Sequence, residues 1–107
     1  MNSLLKMYSH VGEERCGFIS RGRVIEVRNN AVEPLTSFMI MPTDIHQYTE
    51  SSPSEATWHT HPNSSSNLSG ADYEHISNWP KMKHYIIGND GVRCYQWSEE
   101  KETVIEL

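Results

Sequence analysis

Trp58-His59-Thr60-His61-Pro62-Asn63-Ser64-Ser65-Ser66-Asn67-Leu68-Ser69-Gly70-Ala71-Asp72 gathers two imidazoles, a hydroxyl and a carboxylate into fifteen positions. The residues leading into it, Glu55-Ala56-Thr57-Trp58, suit a short strand, along which side chains repeat every second residue. His59 and His61 are therefore expected on one face, with Cα atoms roughly 6.7 Å apart, a span that two imidazoles can bridge to one ion. Pro62 ends the strand, and the Asn/Ser run after it is a loop by composition. Ser69-Gly70-Ala71-Asp72 then opens an apolar-periodic segment with Ile76 and Trp79, in the manner of a helix start. A strand end and the following helix start thus aim His59, His61 and Asp72 at one point. Three protein ligands plus an open position is the arrangement of a catalytic zinc. A dication beside the positive end of a helix needs a carboxylate there to reverse the local field.

Each half of this pattern also has a plainer reading. His-x-His alone is common, and Ser-x-x-Asp is a capping box in which Ser69 and Asp72 satisfy backbone N–H groups. The conjunction carries the metal reading, and a cap that fixes the helix end is compatible with it.

The rest of the chain bounds what the site can belong to. Its 107 residues suffice for one domain, a single core of a sheet with two or three helices. A net charge of −5, with only 9 scattered Lys and Arg, argues against a partner such as nucleic acid, whose phosphates need clustered cations. The opening residues are too short and polar for a signal peptide, and no apolar run approaches a membrane span. An intracellular, cytoplasmic protein that binds no membrane is expected. Cys16 and Cys94 lack Cys-x-x-Cys spacing and read as buried free thiols.

Leu4, Leu5, Tyr8 and Val11 recur at helical spacing between Ser3 and Gly12, which predicts a short amphipathic first helix. Cys16–Ile19 and Arg23–Val27 read as a hairpin turning at Arg21-Gly22. Asn29 to Pro34 reads as a loop. Phe38–Met41 reads as a buried strand, and a short helix from Thr43 or Asp44 through Tyr48 is followed by the polar loop Glu50–Ser54. Gly70 to Trp79 is a second helix, closed by Pro80. His84–Ile87 and Val92–Trp97 flank Gly88-Asn89-Asp90-Gly91, a strong turn signal, and Glu102–Leu107 makes a last strand. The sum is an α/β domain with a mixed, mainly antiparallel sheet and helices packed on it.

His59-x-His61-Pro62, six residues, then Ser69-x-x-Asp72 resembles the JAMM signature of the MPN+ zinc metallopeptidases. Glu14-Arg15-Cys16-Gly17 looks like the upstream Glu-x-Cys-Gly form of bacterial and tailed-phage members. Asn30-Ala31, Pro34 and Phe38-x-Ile40-x-Pro42-x-Asp44 are similar to the phage tail-assembly branch. The resemblance implies a single-domain MPN, cytidine-deaminase-like fold over residues 1–107, a mixed sheet flanked by helices. It also implies Zn2+ held by His59, His61 and Asp72, with Glu14 as general base and Ser69 steadying an oxyanion. The implied activity is that of a zinc peptidase or isopeptidase, acting on a peptide or the tail of a ubiquitin-like protein and connected to tail-assembly proteins. In a phage-encoded chain it would work in the host cytoplasm.

Glu13 rivals Glu14 as base, and only the family pattern separates them at this stage. His10, His46, His75 and His84 receive no role; His75, three residues beyond Asp72, reads as a partly exposed surface histidine. Trp58 and Trp79 read as core beside the metal, and the loop from Asn63 to Leu68 as a rim that touches substrate. A zinc deaminase would need His-x-Glu and a Pro-Cys-x-x-Cys pair, which this sequence lacks. The remaining alternative is a non-catalytic assembly or scaffold subunit whose metal holds the fold.

Overall fold

Ala56–Thr60, the strand that carries His59, is buried along its whole length. Its Ala-Thr-Trp-His-Thr sequence is β-branched and aromatic, well suited to a pleated surface covered on both sides. The computed structural model describes residues 2–9, 11–20, 22–31, 38 and 56–107. Among these, β1 is Cys16–Ser20, β2 Arg23–Val27, β3 Ala56–Thr60, β4 Lys83–Gly88, β5 Gly91–Ser98 and β6 Thr103–Glu106, with helices α1 at Asn2–Leu5 and α2 at Gly70–Asn78. The strands form one sheet in the order β2-β1-β3-β4-β5-β6. Every neighbouring pair is antiparallel except β3 with β4, which run parallel. A parallel pair needs a crossover, and α2 lies within it.

The two faces of the sheet carry separate apolar clusters. Trp58 and Ile87 pack with Leu4 on one face, supported by Met7, Tyr8, Ile19, Val24, Tyr85 and Val92. On the other, Ile86 and Tyr95 pack with Ile76 of α2, and Cys16 and Phe18 pack with Val27, Phe38 and Met82. Gly17 allows β1 to sit close to its neighbours, since a Cβ there would overlap the Ile25 carbonyl and crowd the Trp58 indole nitrogen. His84 fastens α2 to the sheet. Its Nε2 donates to the Trp79 carbonyl at 3.1 Å, which leaves Nδ1 to accept from the Thr57 hydroxyl at 2.6 Å.

The expected α/β domain flanked by helices, and with it the MPN, cytidine-deaminase-like architecture, is not what the chain forms. It is a small β-rich fold, a six-stranded mixed sheet with one nine-residue helix and a four-residue helical turn among the described residues. The first predicted helix fails because its stripe does not persist. The helix ends at Leu5, Val11 is exposed, and Gly12 at φ +98° turns the chain instead of capping a helix. The hairpins, α2 and β6 fall where the pattern predicts them, within a residue or two. The strand expected at Phe38–Met41, the helix toward Tyr48 and the loop at Glu50–Ser54 lie outside the described residues, apart from Phe38, which is irregular.

Candidate metal centre and its cleft

Alternation along β3 puts Trp58 on the α1 face and sends His59 to the other. His61, just past the strand end, joins His59 there, with the two Nε2 atoms 3.2 Å apart. Asp72 approaches from the first turn of α2, its Oδ1 2.8 Å from His59 Nε2 and its Oδ2 3.0 Å from His61 Nε2. The capping box is present in full: Asp72 N donates to Ser69 Oγ at 3.1 Å, and Ser69 N donates to Asp72 Oδ2 at 3.0 Å. The cap therefore fixes the helix end and aims the carboxylate at the imidazoles. His59 and Asp72 are almost wholly buried.

Proton accounting in this cluster is informative. A carbonyl oxygen can only accept, so the 2.8 Å contact between His61 Nδ1 and the Ser65 carbonyl puts a hydrogen on Nδ1. In neutral His61 the other nitrogen then turns a lone pair toward Asp72 and toward His59. Toward His59 that lone pair can accept a His59 Nε2 hydrogen, but toward the ionised Asp72 carboxylate, which only accepts, a cation or an added proton is required. Bonds of about 2.0 to 2.1 Å at tetrahedral angles set donor atoms about 3.3 Å apart, close to the 3.2 Å between the two Nε2 atoms, whereas Asp72 meets each imidazole through a different oxygen at hydrogen-bond distance. Among the described residues, Glu14, His59 and His61 lie together, their ligand atoms all within 4.8 Å of one another, and could bind a metal ion. Asp72 touches both imidazoles as well, through Oδ1 to His59 and Oδ2 to His61.

Glu14, not Glu13, enters the cluster: Glu14 is 7% exposed, whereas Glu13 faces solvent. Its Oε1 is buried and has no hydrogen-bond partner among the described residues. Burial pushes its carboxyl up to about 7; the charge of His61 pulls it back, and that of Asp72 pushes it further. Asp72 moves the other way. Burial would raise it, but hydrogen bonds from His59 and His61, their charges and the Ser69 N–H hold it well below the usual carboxylate range. Burial depresses His59, against the opposing pull of Asp72. For His61, burial is outweighed by its bonds to Asp72 and the Ser65 carbonyl and by the charges of Asp72 and Glu14, which raise it.

A cleft of about 420 Å³ opens beside the cluster, lined by Glu14, His61, Pro62, Ser64, Ser65, Asn67 and Ser69. The loop from Asn63 to Leu68 thus forms one wall of it. Ser69 Oγ already accepts from Asp72 N, so its own hydroxyl proton is left to donate.

Several neighbours were not legible in the sequence. Phe38 stacks on the His59 ring at 4.1 Å between centroids, taking the place expected for Trp58, which instead packs on the opposite face and donates from Nε1 to the Ile25 carbonyl at 3.2 Å. His75 is partly exposed, as read, but its ring turns inward. It packs edge-on against Phe38 and His84, its Nε2 is buried, and burial together with the charges of His84 and His59 lowers it to about 3. Cys16 is buried as read, but Cys94 is only half-buried. Among the described residues no helix is long and apolar enough to cross a membrane. His10 and His46 lie outside the described residues.

No family model and no curated protein matches the chain. The fold is similar to the solution structure of a protein from Desulfitobacterium hafniense, with a TM-score of 0.64 at 17% identity over 89% of this chain and 75% of that one.

Proposed function

We propose that the chain is a zinc-dependent peptidase or isopeptidase, with His59, His61 and Asp72 as metal ligands and Glu14 as proton carrier. The observation that carries this reading is the division between the two carboxylates. Asp72 is held ionised and already touches both imidazoles. Glu14, in the same cluster, lines the cleft with a buried, unpartnered Oε1 among the described residues and, with no metal beside it, has its carboxyl raised to about 7 by burial. Two carboxyl groups driven apart in this way mark separate roles, one a permanent anion and one an acid–base. The likeness of the Glu14, His59-x-His61-Pro62 and Ser69-x-x-Asp72 positions to the JAMM signature supports the same assignment, independently of the fold.

Zinc, when bound, supplies a Lewis acid and a water that ionises near pH 7. Glu14 takes a proton onto its carboxylate at the cleft wall and returns it to the departing amine. The Ser69 hydroxyl, anchored by the Asp72 N–H, donates toward the oxygen that gains charge. The Ser65 carbonyl holds His61 with its Nε2 turned to the metal. The open, polar cleft suits an extended peptide or the flexible tail of a ubiquitin-like protein. Tail assembly in a phage or prophage is the setting that the sequence likeness favours.

A second reading, a non-catalytic assembly subunit with a structural metal, draws on the way the cluster joins β3 to α2. Zinc content and cleavage of a peptide panel that includes ubiquitin-like tails and cell-wall peptides separate the two. Purified protein should hold stoichiometric zinc, lost in His59→Ala and Asp72→Asn. Glu14→Gln should keep the metal and lose cleavage. Unchanged metal content in those ligand variants overturns the metal site; zinc without cleavage of any peptide favours the subunit.

A further inference from the structure

Ser66 takes no part in the cleft chemistry, yet its polar atoms are committed to the hairpin of β4 and β5. Its N–H donates to Asp90 Oδ1 at 2.8 Å, its hydroxyl accepts from Arg93 Nε at 3.1 Å, and its carbonyl accepts from the Tyr95 hydroxyl at 3.2 Å. It is 1% exposed. On one side of it the Ser64 carbonyl accepts from Asn89 N at 2.7 Å, and His61 N donates to the Ile87 carbonyl at 2.8 Å. Gly88 makes this close approach feasible, because a Cβ there would overlap the backbone of Ser64, Ser65 and Ser66. The peptide between these anchors is Ser65, whose carbonyl receives the His61 Nδ1 hydrogen. Fixed on both sides, that carbonyl cannot rotate away without breaking bonds to the hairpin.

We propose that the clamp of Ser66 on Asp90, Arg93 and Tyr95 is a positioning device that favours, against the pull of Asp72, the His61 tautomer with a bare Nε2, the form able to bind a metal. Which nitrogen of an imidazole carries the proton is set by the bond the other one makes. Without a fixed Ser65 carbonyl, His61 can carry its proton on Nε2 and donate it to Asp72 Oδ2, which closes the position to a cation. Asp90 thereby acts on the metal cluster through Ser66, Ser65 and His61 in turn, without touching it. The metal half of this inference rests on the proposed zinc site; the tautomer half does not.

The test compares Asp90→Ala with Asp90→Asn, because an amide oxygen can still accept from Ser66 N. Long-range 1H–15N spectra of the metal-free protein at alkaline pH, where the imidazole is neutral, read the His61 tautomer directly. Asp72 draws the proton toward Nε2 in this state, so the readout is relative: the Nδ1-protonated fraction should be larger in wild type and Asp90→Asn than in Asp90→Ala. Zinc affinity, read by chelator competition, should weaken roughly 10-fold to 100-fold in Asp90→Ala and recover in Asp90→Asn. Tyr95→Phe, which removes the bond to the Ser66 carbonyl together with the hydroxyl's bonds to Arg93 and the Leu68 backbone, should shift the tautomer the same way and serves if Asp90→Ala does not fold. An unchanged His61 tautomer in the folded variants overturns the clamp, as does a shift that Asp90→Asn fails to reverse. If the wild type itself binds no zinc, the zinc proposal fails, and the spectra still decide the clamp.

Discussion

Cys16 stands opposite His59 in the antiparallel pairing of β1 and β3, and the same register carried two residues beyond that pair sets Glu14 opposite His61. The continuation is physical. Thr60 N donates to the Arg15 carbonyl at 2.8 Å, and Arg15 N donates back to the Thr60 hydroxyl at 2.8 Å. Period-two alternation then decides which of the paired glutamates enters the cluster: residue 14 shares the face of 16, 59 and 61, and residue 13 does not. Asn29 Nδ2 also donates to the Glu14 carbonyl at 2.8 Å, which fixes the backbone there.

Glu14→Gln should stabilise the metal-free protein above neutrality while abolishing cleavage. The folded-state carboxyl is raised from 4.5 to about 7, so the folded chain holds a proton that the unfolded chain releases between those values. Stability associated with this group is whole below pH 4.5 and is lost as pH rises through about 7. Unfolding free energies of the two proteins, from urea titration, should differ little near pH 4 and diverge by a further amount of about 1–2 kcal/mol at pH 8, after allowing for solvent at the cleft. A gap that is absent at pH 8, or that opens on the acid side, contradicts the raised carboxyl.

Acid should weaken the fold through His75 and His84. Burial, first of the causes for both, holds them at about 3 and about 4, with His75 further lowered by neighbouring imidazoles. Because these are depressed values, their stability is present above the ordinary histidine range and is lost as pH falls from about 6.5 through the folded values. Glu14 slopes the other way over part of this window. The fall in urea midpoint between pH 6.5 and 4.5 should therefore be steeper in Glu14→Gln than in wild type, and equal slopes would contradict the assignment.

Ser69→Ala separates the cap from the chemistry. It removes the acceptor for Asp72 N and should cost about 1 kcal/mol of unfolding free energy, leaving zinc bound through the two imidazoles and Asp72. Cleavage should fall by more than that loss explains, in kcat and not in KM, since the hydroxyl acts on developing charge. A full cleavage rate at the reduced stability would leave Ser69 as a cap alone.

What the sequence disclosed follows from how local each feature is. His59 and His61 on one face, Ser69 as cap and Asp72 in the first turn are consequences of strand alternation and helix-start chemistry, and both operate over a few residues. The tight hairpin at Asn89-Asp90 follows from turn chemistry in the same way. The architecture did not follow, because the helical stripe of Leu4, Leu5, Tyr8 and Val11 was too short to hold against Gly12, and because a shared motif carries no information about how many helices cover a sheet. Asp90, Arg93 and Phe38 gave no local signal either. Their roles exist only once β5 and the segment near residue 38 are folded against the cluster.

The parallel pairing of β3 with β4 has a kinetic corollary. Glu14, His61, Asp72 and the hairpin that braces Ser65 come from stretches spread between positions 14 and 95, and no early, local piece of the chain contains them all. Contacts this distant in sequence form late, after the entropy of closing the intervening segments has been met. Metal uptake during refolding should consequently lag behind hairpin formation and report completion of the whole sheet.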